Sequence, residues 1–203
     1  MTSTLPTIIF FGTEHSSLTS LKALVEAGYN IAAVVTKPDA PRGRGQKVTE
    51  PPVKTFATER GIEVWQPIKL RDIEQEIKSL QPAVGVLVSY GKIIPQSILD
   101  LFHPGIINLH PSLLPKWRGP SPIEAAIAAR DRETGVSIMK LEAGMDSGPV
   151  YQQRALPLDG SETKQNLYTS LFDMGNQMLV DLLPDILSGK LQPVAQNHHD
   201  ATY

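Results

Sequence analysis

Cysteine is absent from this 203-residue chain. That excludes disulfides, thiolate metal sites and a cysteine nucleophile. Long apolar runs are missing too. A stretch such as Ala83 to Val88 falls far short of the roughly 20 residues that span a bilayer, so no membrane association is expected. The N-terminus, Met1-Thr-Ser-Thr-Leu-Pro6, lacks the basic start and apolar stretch of a secretory signal. Charge of one sign is not in excess. The formal net charge is −2 with 20% charged residues, so no basic footprint covers the whole domain and any nucleic-acid contact needs a local patch. His103, His198 and His199 have no partners at metal-ligand spacing, and no metal is expected. What is present is a globular balance, with 41% hydrophobic residues. It suits one ordinary core; the lack of cysteine fits a cytoplasmic chain, and a monomer is expected.

The pattern along the chain alternates between buried strands and amphipathic helices. Thr7 to Phe11 reads as a first strand closed by Gly12-Thr13. Leu18, Leu21, Leu24 and Val25 recur at helical spacing before Gly28, and Ile31 to Val35 reads as a second strand. Lys37 to Pro52 is rich in proline and glycine without periodicity and predicts a long loop. A short helix over Pro52 to Arg60, a strand over Ile62 to Trp65 and an amphipathic helix over Leu70 to Leu80 follow. Ala83 to Val88 and Ile106 to Leu109 predict further buried strands. Ser121 to Ala129 predicts a helix with Pro122 in its first turn. Gly135 to Leu141 and Val150 to Leu156 predict two more strands, the second antiparallel and at an edge. Ser161 or Thr163 caps a last helix that Pro184 ends or interrupts. The expected fold is α/β, a Rossmann-like open, mostly parallel sheet with helices on both faces.

Sites in such sheets form at the carboxyl ends of strands. Asn108 and His110 stand there, two apart and so on one side of extended chain. A proline-bounded loop, Pro111-Ser-Leu-Leu-Pro-Lys-Trp-Arg-Gly119, leaves that strand end. A second loop, Glu142-Ala-Gly-Met-Asp-Ser-Gly148, carries Asp146 between glycines. An amide can donate to a developing oxyanion, an imidazole can exchange a proton near neutral pH, and a carboxylate can fix the imidazole's tautomer. No Gly-x-Ser-x-Gly elbow supplies a nucleophile, so direct attack by an incoming amine fits best. Taken singly, Asn-x-His is equally a local hydrogen-bonding feature, and an Asp between glycines is equally a turn. These residues define a polar cleft and leave its reaction open.

The blocks Asn108-Leu-His-Pro-Ser-Leu-Leu-Pro-Lys-Trp-Arg-Gly119, Thr134-Gly-Val-Ser-Ile-Met139 and Gly144-Met-Asp-Ser-Gly148 closely resemble the folate-dependent formyltransferases. Within them, the chain looks most like the branch acting on methionyl-tRNA. The resemblance runs in order from Ile8-Ile-Phe-Phe-Gly-Thr13 to the last helix. It implies 10-formyltetrahydrofolate as formyl donor and the α-amino group of initiator methionyl-tRNA as acceptor. It further implies that Asn108 and His110 stabilise the tetrahedral oxygen, while Asp146 orients His110 and relays a proton. Ser112, Leu113, Leu114 and Pro115 match a folate-contacting loop. Val88, Tyr90, Gly91 and Ile93, within Val88-Ser-Tyr-Gly-Lys-Ile-Ile-Pro95, resemble the wall of the pterin pocket, where backbone groups do much of the binding. Related acceptors, an amino sugar nucleotide or glycinamide ribonucleotide, remain the alternative, as does a folate- or RNA-binding module without turnover.

Lys37-Pro-Asp-Ala-Pro-Arg-Gly-Arg-Gly-Gln-Lys47 resembles the basic inserted loop of the tRNA-directed branch. Lys37, Arg42, Arg44 and Lys47 are therefore candidates for phosphate contact. That branch carries a further C-terminal β-barrel. The expected division is accordingly a catalytic domain over residues 1–189 and the start of a linker over 190–203, with the barrel domain beyond this chain. Lys140 is a charged residue in the strand before the Asp146 loop. Its effect on the site depends on which face it occupies.

Overall fold

A computed structural model describes residues 6–42 and 46–203, which fall into two compact units that divide between Ile106 and Ile107. In the first unit β1 (Thr7–Gly12), α1 (His15–Glu26) and β2 (Asn30–Val35) form a strand–helix–strand crossover. A short hairpin, β3 (Ala40–Arg42) and β4 (Lys47–Thr49), precedes α2 (Pro52–Glu59) and β5 (Glu63–Trp65). Next come α3 (Glu74–Leu80), β6 (Val84–Val88) and α4 (Gln96–Leu99). The four long-range strands run parallel in the order β5-β2-β1-β6. Ile8 to Phe11 are wholly buried, as a strand covered on both faces requires. Gly12 lets α1 begin close behind β1, because a Cβ there would strike Ser17. The Ser17 hydroxyl accepts from the Thr13 N–H at 3.0 Å and donates to the Val88 carbonyl at 2.6 Å. One side chain thus ties the start of α1 to the end of β6.

The second unit contains β7 (Ile106–His110), α5 (Pro122–Ala129), β8 (Glu133–Lys140), β9 (Val150–Pro157) and α6 (Lys164–Leu187). β8 pairs antiparallel with both β7 and β9. The Thr163 hydroxyl caps α6 by accepting from the Asn166 N–H at 3.2 Å. The helix buries Leu167, Leu171, Met178, Leu179 and Leu183. Gly175 marks its closest approach to β7, since an added Cβ would lie 2.8 Å from a Leu109 methyl. α6 therefore covers the Leu109 face of β7 and leaves the opposite face to Asn108 and His110.

The α/β, Rossmann-like reading with a mostly parallel sheet is correct, and three local expectations need revision. Lys37 to Pro52 is not a plain loop, because Ala40, Pro41 and Arg42 pair with Thr49, Val48 and Lys47. The hairpin was invisible to hydrophobic patterning because β4 is exposed throughout. Leu70 to Leu80 is not one helix. A 3₁₀ turn, Leu70–Ile73, precedes α3. That tighter winding stacks Leu70 and Ile73 on one edge, and both are buried. Pro184 does not end α6, which continues to Leu187. Burial of Leu183 and Ile186 holds the final turn in place around a residue that cannot donate to it. Among the described residues no helix is long and apolar enough to cross a membrane.

Candidate active site

β7 positions Asn108 and His110 by strand periodicity, and both are 5% exposed. Ser137 and Met139 sit opposite them on β8 and share their face, whereas Lys140 sits opposite Ile107. Lys140 therefore lies on the α6 side and does not enter the Asn108–His110 face. His110 has a distinct neighbour at each ring nitrogen. Nε2 lies 2.9 Å from the Trp117 carbonyl, and Nδ1 lies 3.7 Å from Asp146 Oδ2. A carbonyl only accepts, so Nε2 carries a proton. In the neutral ring Nδ1 is then a free lone pair facing a carboxylate. In the cationic ring it is an N–H that the carboxylate stabilises. At 3.7 Å the pair is too long for a direct hydrogen bond.

Asp146 is held in position by backbone. The Gly119 N–H donates to its Oδ2 at 2.7 Å. Its own φ is +45°, in the left-handed region, which aspartate tolerates better than most residues other than glycine. Gly148, two residues on, packs so closely on the Lys140 carbonyl that a Cβ would overlap it. The Asn108 amide makes no hydrogen bond to any described residue, although it is nearly buried. An amide with no partner that still reaches the surface has its donors available for a ligand oxygen.

The Pro111–Gly119 loop is fixed from beneath. The Ser137 hydroxyl donates to the Ser112 carbonyl at 2.6 Å, and accepts from the Leu114 N–H at 3.0 Å and the Gln153 amide at 2.8 Å. Gln153 also donates to the Leu114 carbonyl at 2.7 Å, and the Ser112 hydroxyl to the Lys116 carbonyl at 2.6 Å. The Leu114–Pro115 peptide is cis. Leu113 packs over Gly135, where a Cβ would lie 2.6 Å from its methyl. A pocket of about 380 Å³ beside the loop is walled in part by Leu113, Trp117 and Asp131, and not by Asn108, His110 or Asp146. Those three residues lie apart from it.

In the first unit, the side chains of Val88 and Tyr90 point into the core, each 0% exposed. The Tyr90 ring meets Phe11 edge-on at 5.9 Å, and burial pushes its hydroxyl pKa up to about 12. Its carbonyl accepts from the Thr13 hydroxyl at 3.1 Å. Gly91 has φ +70°, and Ile93 is 86% exposed. The Lys37 ammonium lies against Gly91, at the site a Cβ would occupy, rather than with the hairpin. Asp39 anchors the hairpin's base, accepting from Gln66 at 2.7 Å and Lys54 at 2.6 Å. The Gln66 hydrogen bond, and then that from Lys54, hold the Asp39 carboxyl below its ordinary pKa. Lys47 is exposed on β4. Arg42 closes β3, and Arg44 lies outside the described residues.

The sequence reading passed over Ser137, Gln153, Gln196 and Thr202. Ser137 had a signal, a hydroxyl in an otherwise apolar buried strand. Gln196 and Thr202 had none. Residues 190–203, expected to begin a linker, lie against the site's own loops. Val194 bridges Val150 with paired bonds of 2.8 Å, and the Trp117 N–H donates to the Thr202 hydroxyl at 2.9 Å.

Comparison with known proteins places these features in context. The profile of the family described as formyl transferase matches residues 7–183. A methionyl-tRNA formyltransferase of Dictyoglomus turgidum is 47% identical over 199 residues, covering 97% of this chain and 63% of that protein. One from Myxococcus xanthus is 45% identical over 193 residues, covering 94% and 62%. The chain thus spans about three fifths of the length of these curated relatives. Among solved structures, the phosphoribosylglycinamide formyltransferase of Bacillus halodurans superposes with a TM-score of 0.76 at 24% identity, over 91% of this chain and 96% of that one. An N-formyltransferase from Helicobacter canadensis, solved with folinic acid and dTDP-3-aminofucose, gives 0.75 at 21% identity, over 98% and 70%. At these identities the solved structures establish the shared fold.

Proposed function

This chain belongs to the formyl transferase family, and on that premise we propose that the protein transfers a formyl group from 10-formyltetrahydrofolate to the α-amino group of methionyl initiator tRNA. The observation that carries the reading is His110, held at Nε2 by the Trp117 carbonyl and facing the Asp146 carboxylate through Nδ1. The acceptor is favoured by the names of the curated relatives, methionyl-tRNA formyltransferases at 45% and 47% identity, and by the basic hairpin.

The chemistry needs no covalent enzyme intermediate. The amine attacks the formyl carbon, a C–N bond forms, and the carbonyl oxygen becomes an oxyanion. The unpaired Asn108 amide donates to that oxygen. His110 takes the amine proton at Nδ1, where Asp146 stabilises the resulting imidazolium, and returns a proton to the departing folate nitrogen as the old C–N bond breaks. Ser112, Leu113, Leu114 and Pro115 are assigned to folate on the loop that Ser137 pins. Val88, Tyr90, Gly91 and Ile93 are assigned to it through backbone and edge contacts, since the Val88 and Tyr90 side chains are core. Lys37, Arg42, Arg44 and Lys47 are assigned to tRNA phosphates. Residues 1–189 are assigned to the catalytic domain, and residues 194–202 pack onto the same site. The enzyme works as a cytoplasmic monomer.

The test offers purified full-length protein 10-formyltetrahydrofolate with three acceptors in parallel: methionyl-tRNA, glycinamide ribonucleotide and an amino sugar nucleotide. Formylmethionyl-tRNA as the product is the expected result. Formylation of either small acceptor with none of the tRNA overturns the acceptor assignment. Folate binding without transfer to any acceptor overturns the enzymatic one.

A further inference from the structure

Asp146 keeps a left-handed backbone conformation, φ +45°, which aspartate tolerates but does not hold by itself against its other conformations. The restraint comes from residue 196, fifty positions away. The two amide hydrogens of Gln196 are divided between the Asp146 carbonyl at 2.8 Å and the Gly148 carbonyl at 2.7 Å. Its amide oxygen accepts from Arg118 Nε at 3.2 Å and Nη2 at 2.7 Å. The orientation is forced, because a flipped amide would set its NH₂ against the guanidinium and its oxygen against two carbonyls. Arg118 is 6% exposed and also donates to His198 Nδ1 at 2.9 Å.

The same segment grips the other neighbour of His110. The Trp117 N–H donates to the Thr202 hydroxyl at 2.9 Å, the Arg118 N–H to the Thr202 carbonyl at 2.9 Å, and the Thr202 N–H to the Pro115 carbonyl at 3.2 Å. The Trp117 carbonyl is the group that receives His110 Nε2–H. Both groups that define His110, a carbonyl on one side and a carboxylate on the other, are therefore set by residues 194–202. Anchorage at Val150–Val194 fixes where that segment starts.

We infer that Gln196 is a positioning residue of the reaction centre: it locks the Asp146 loop to Arg118, so that the Asp146 carboxylate is presented to His110. The kinetic consequence rests on the formyl-transfer reading, while the positioning itself does not. Small displacements of reacting groups are expensive; a shift of about 1 Å costs on the order of 100-fold in rate.

The test uses Gln196→Glu and Gln196→Ala in the full-length protein. Glutamate keeps the volume and the acceptor for Arg118 but cannot donate to the two carbonyls, so a role in packing alone survives it. Two quantities are read. Amide exchange of the Gly119 N–H and of residues 144–148 is expected to quicken at least about tenfold in both variants, with exchange elsewhere unchanged. The kcat for formyl transfer is expected to fall at least about tenfold, with both KM values within about twofold. Unchanged exchange at the Asp146 loop, a general rise across the second unit, or a Gln196→Glu enzyme with wild-type kcat each overturns the inference. Wild-type protein that transfers no formyl group, in the presence of the local exchange effect, overturns the functional reading and leaves the positioning standing.

Discussion

His110 shows how much of the proposed chemistry rests on single atoms. With Nε2–H committed to the Trp117 carbonyl at 2.9 Å, only Nδ1 is left to exchange a proton beside Asp146. His110→Ala is expected to lower kcat by at least about 100-fold while folate affinity, measured by calorimetric titration, stays within about threefold. A variant rate near that of the wild type removes His110 from the reaction. Tyr90 gives a second residue-scale prediction. Its hydroxyl is buried without a hydrogen-bond partner among the described residues, so Tyr90→Phe is expected to stabilise the fold by about 1 kcal/mol at neutral pH and to leave folate affinity unchanged. With pH the sign is definite. The folded-state pKa is raised from 10.0 to about 12. Below about pH 10 the phenol is neutral in both states and stability does not depend on it. Between pH 10 and 12 the unfolded chain alone ionises, and the wild type loses stability. The difference from Tyr90→Phe should widen there by up to about 2–3 kcal/mol in urea melts run across that range. Parallel curves would show that Tyr90 is not buried as described.

At the scale of elements, β8 supports the loop that carries the folate-binding assignment. Ser137 satisfies Ser112, Leu114 and Gln153 at once through one hydroxyl. Ser137→Ala removes that partner from a buried N–H and a buried carbonyl. It is expected to destabilise the protein by about 1–3 kcal/mol and to raise the KM for folate as the loop loosens. A variant with unchanged denaturation midpoint and KM would mean that the loop holds itself. The elements themselves were largely legible. β1, α1, β2 and β6 follow from apolar runs and helical spacing, and the Thr163 cap from the polar residue before α6. The misreadings have two causes. β4 is exposed throughout, so no alternation marks the hairpin, and Pro184 is carried through the last turn of α6 by the buried Leu183 and Ile186. Local propensity loses wherever tertiary burial decides the matter.

For the whole molecule, a formal net charge of −2 leaves no global attraction for a polyanion. On the proposed function, binding of tRNA would then depend on the hairpin cations. Lys47→Ala and Arg42→Ala should each raise the KM for methionyl-tRNA and reduce the slope of log affinity against log salt by about 1, with the folate KM unaffected. An unchanged slope would place the phosphates elsewhere. The sequence by itself determined the α/β class, the strand end that bears Asn108 and His110, and the loop that bears Asp146, because burial periodicity and motif spacing are local properties written in consecutive residues. Only the tertiary structure decided that Lys140 faces away from Asn108 and His110, that Trp117 gives its carbonyl to His110, and that residues 194–202 close over the site's loops. Those contacts join residues as far apart as Trp117 and Thr202, separated by 85 positions. A hydrogen bond across such a distance needs no pattern in the sequence between its ends.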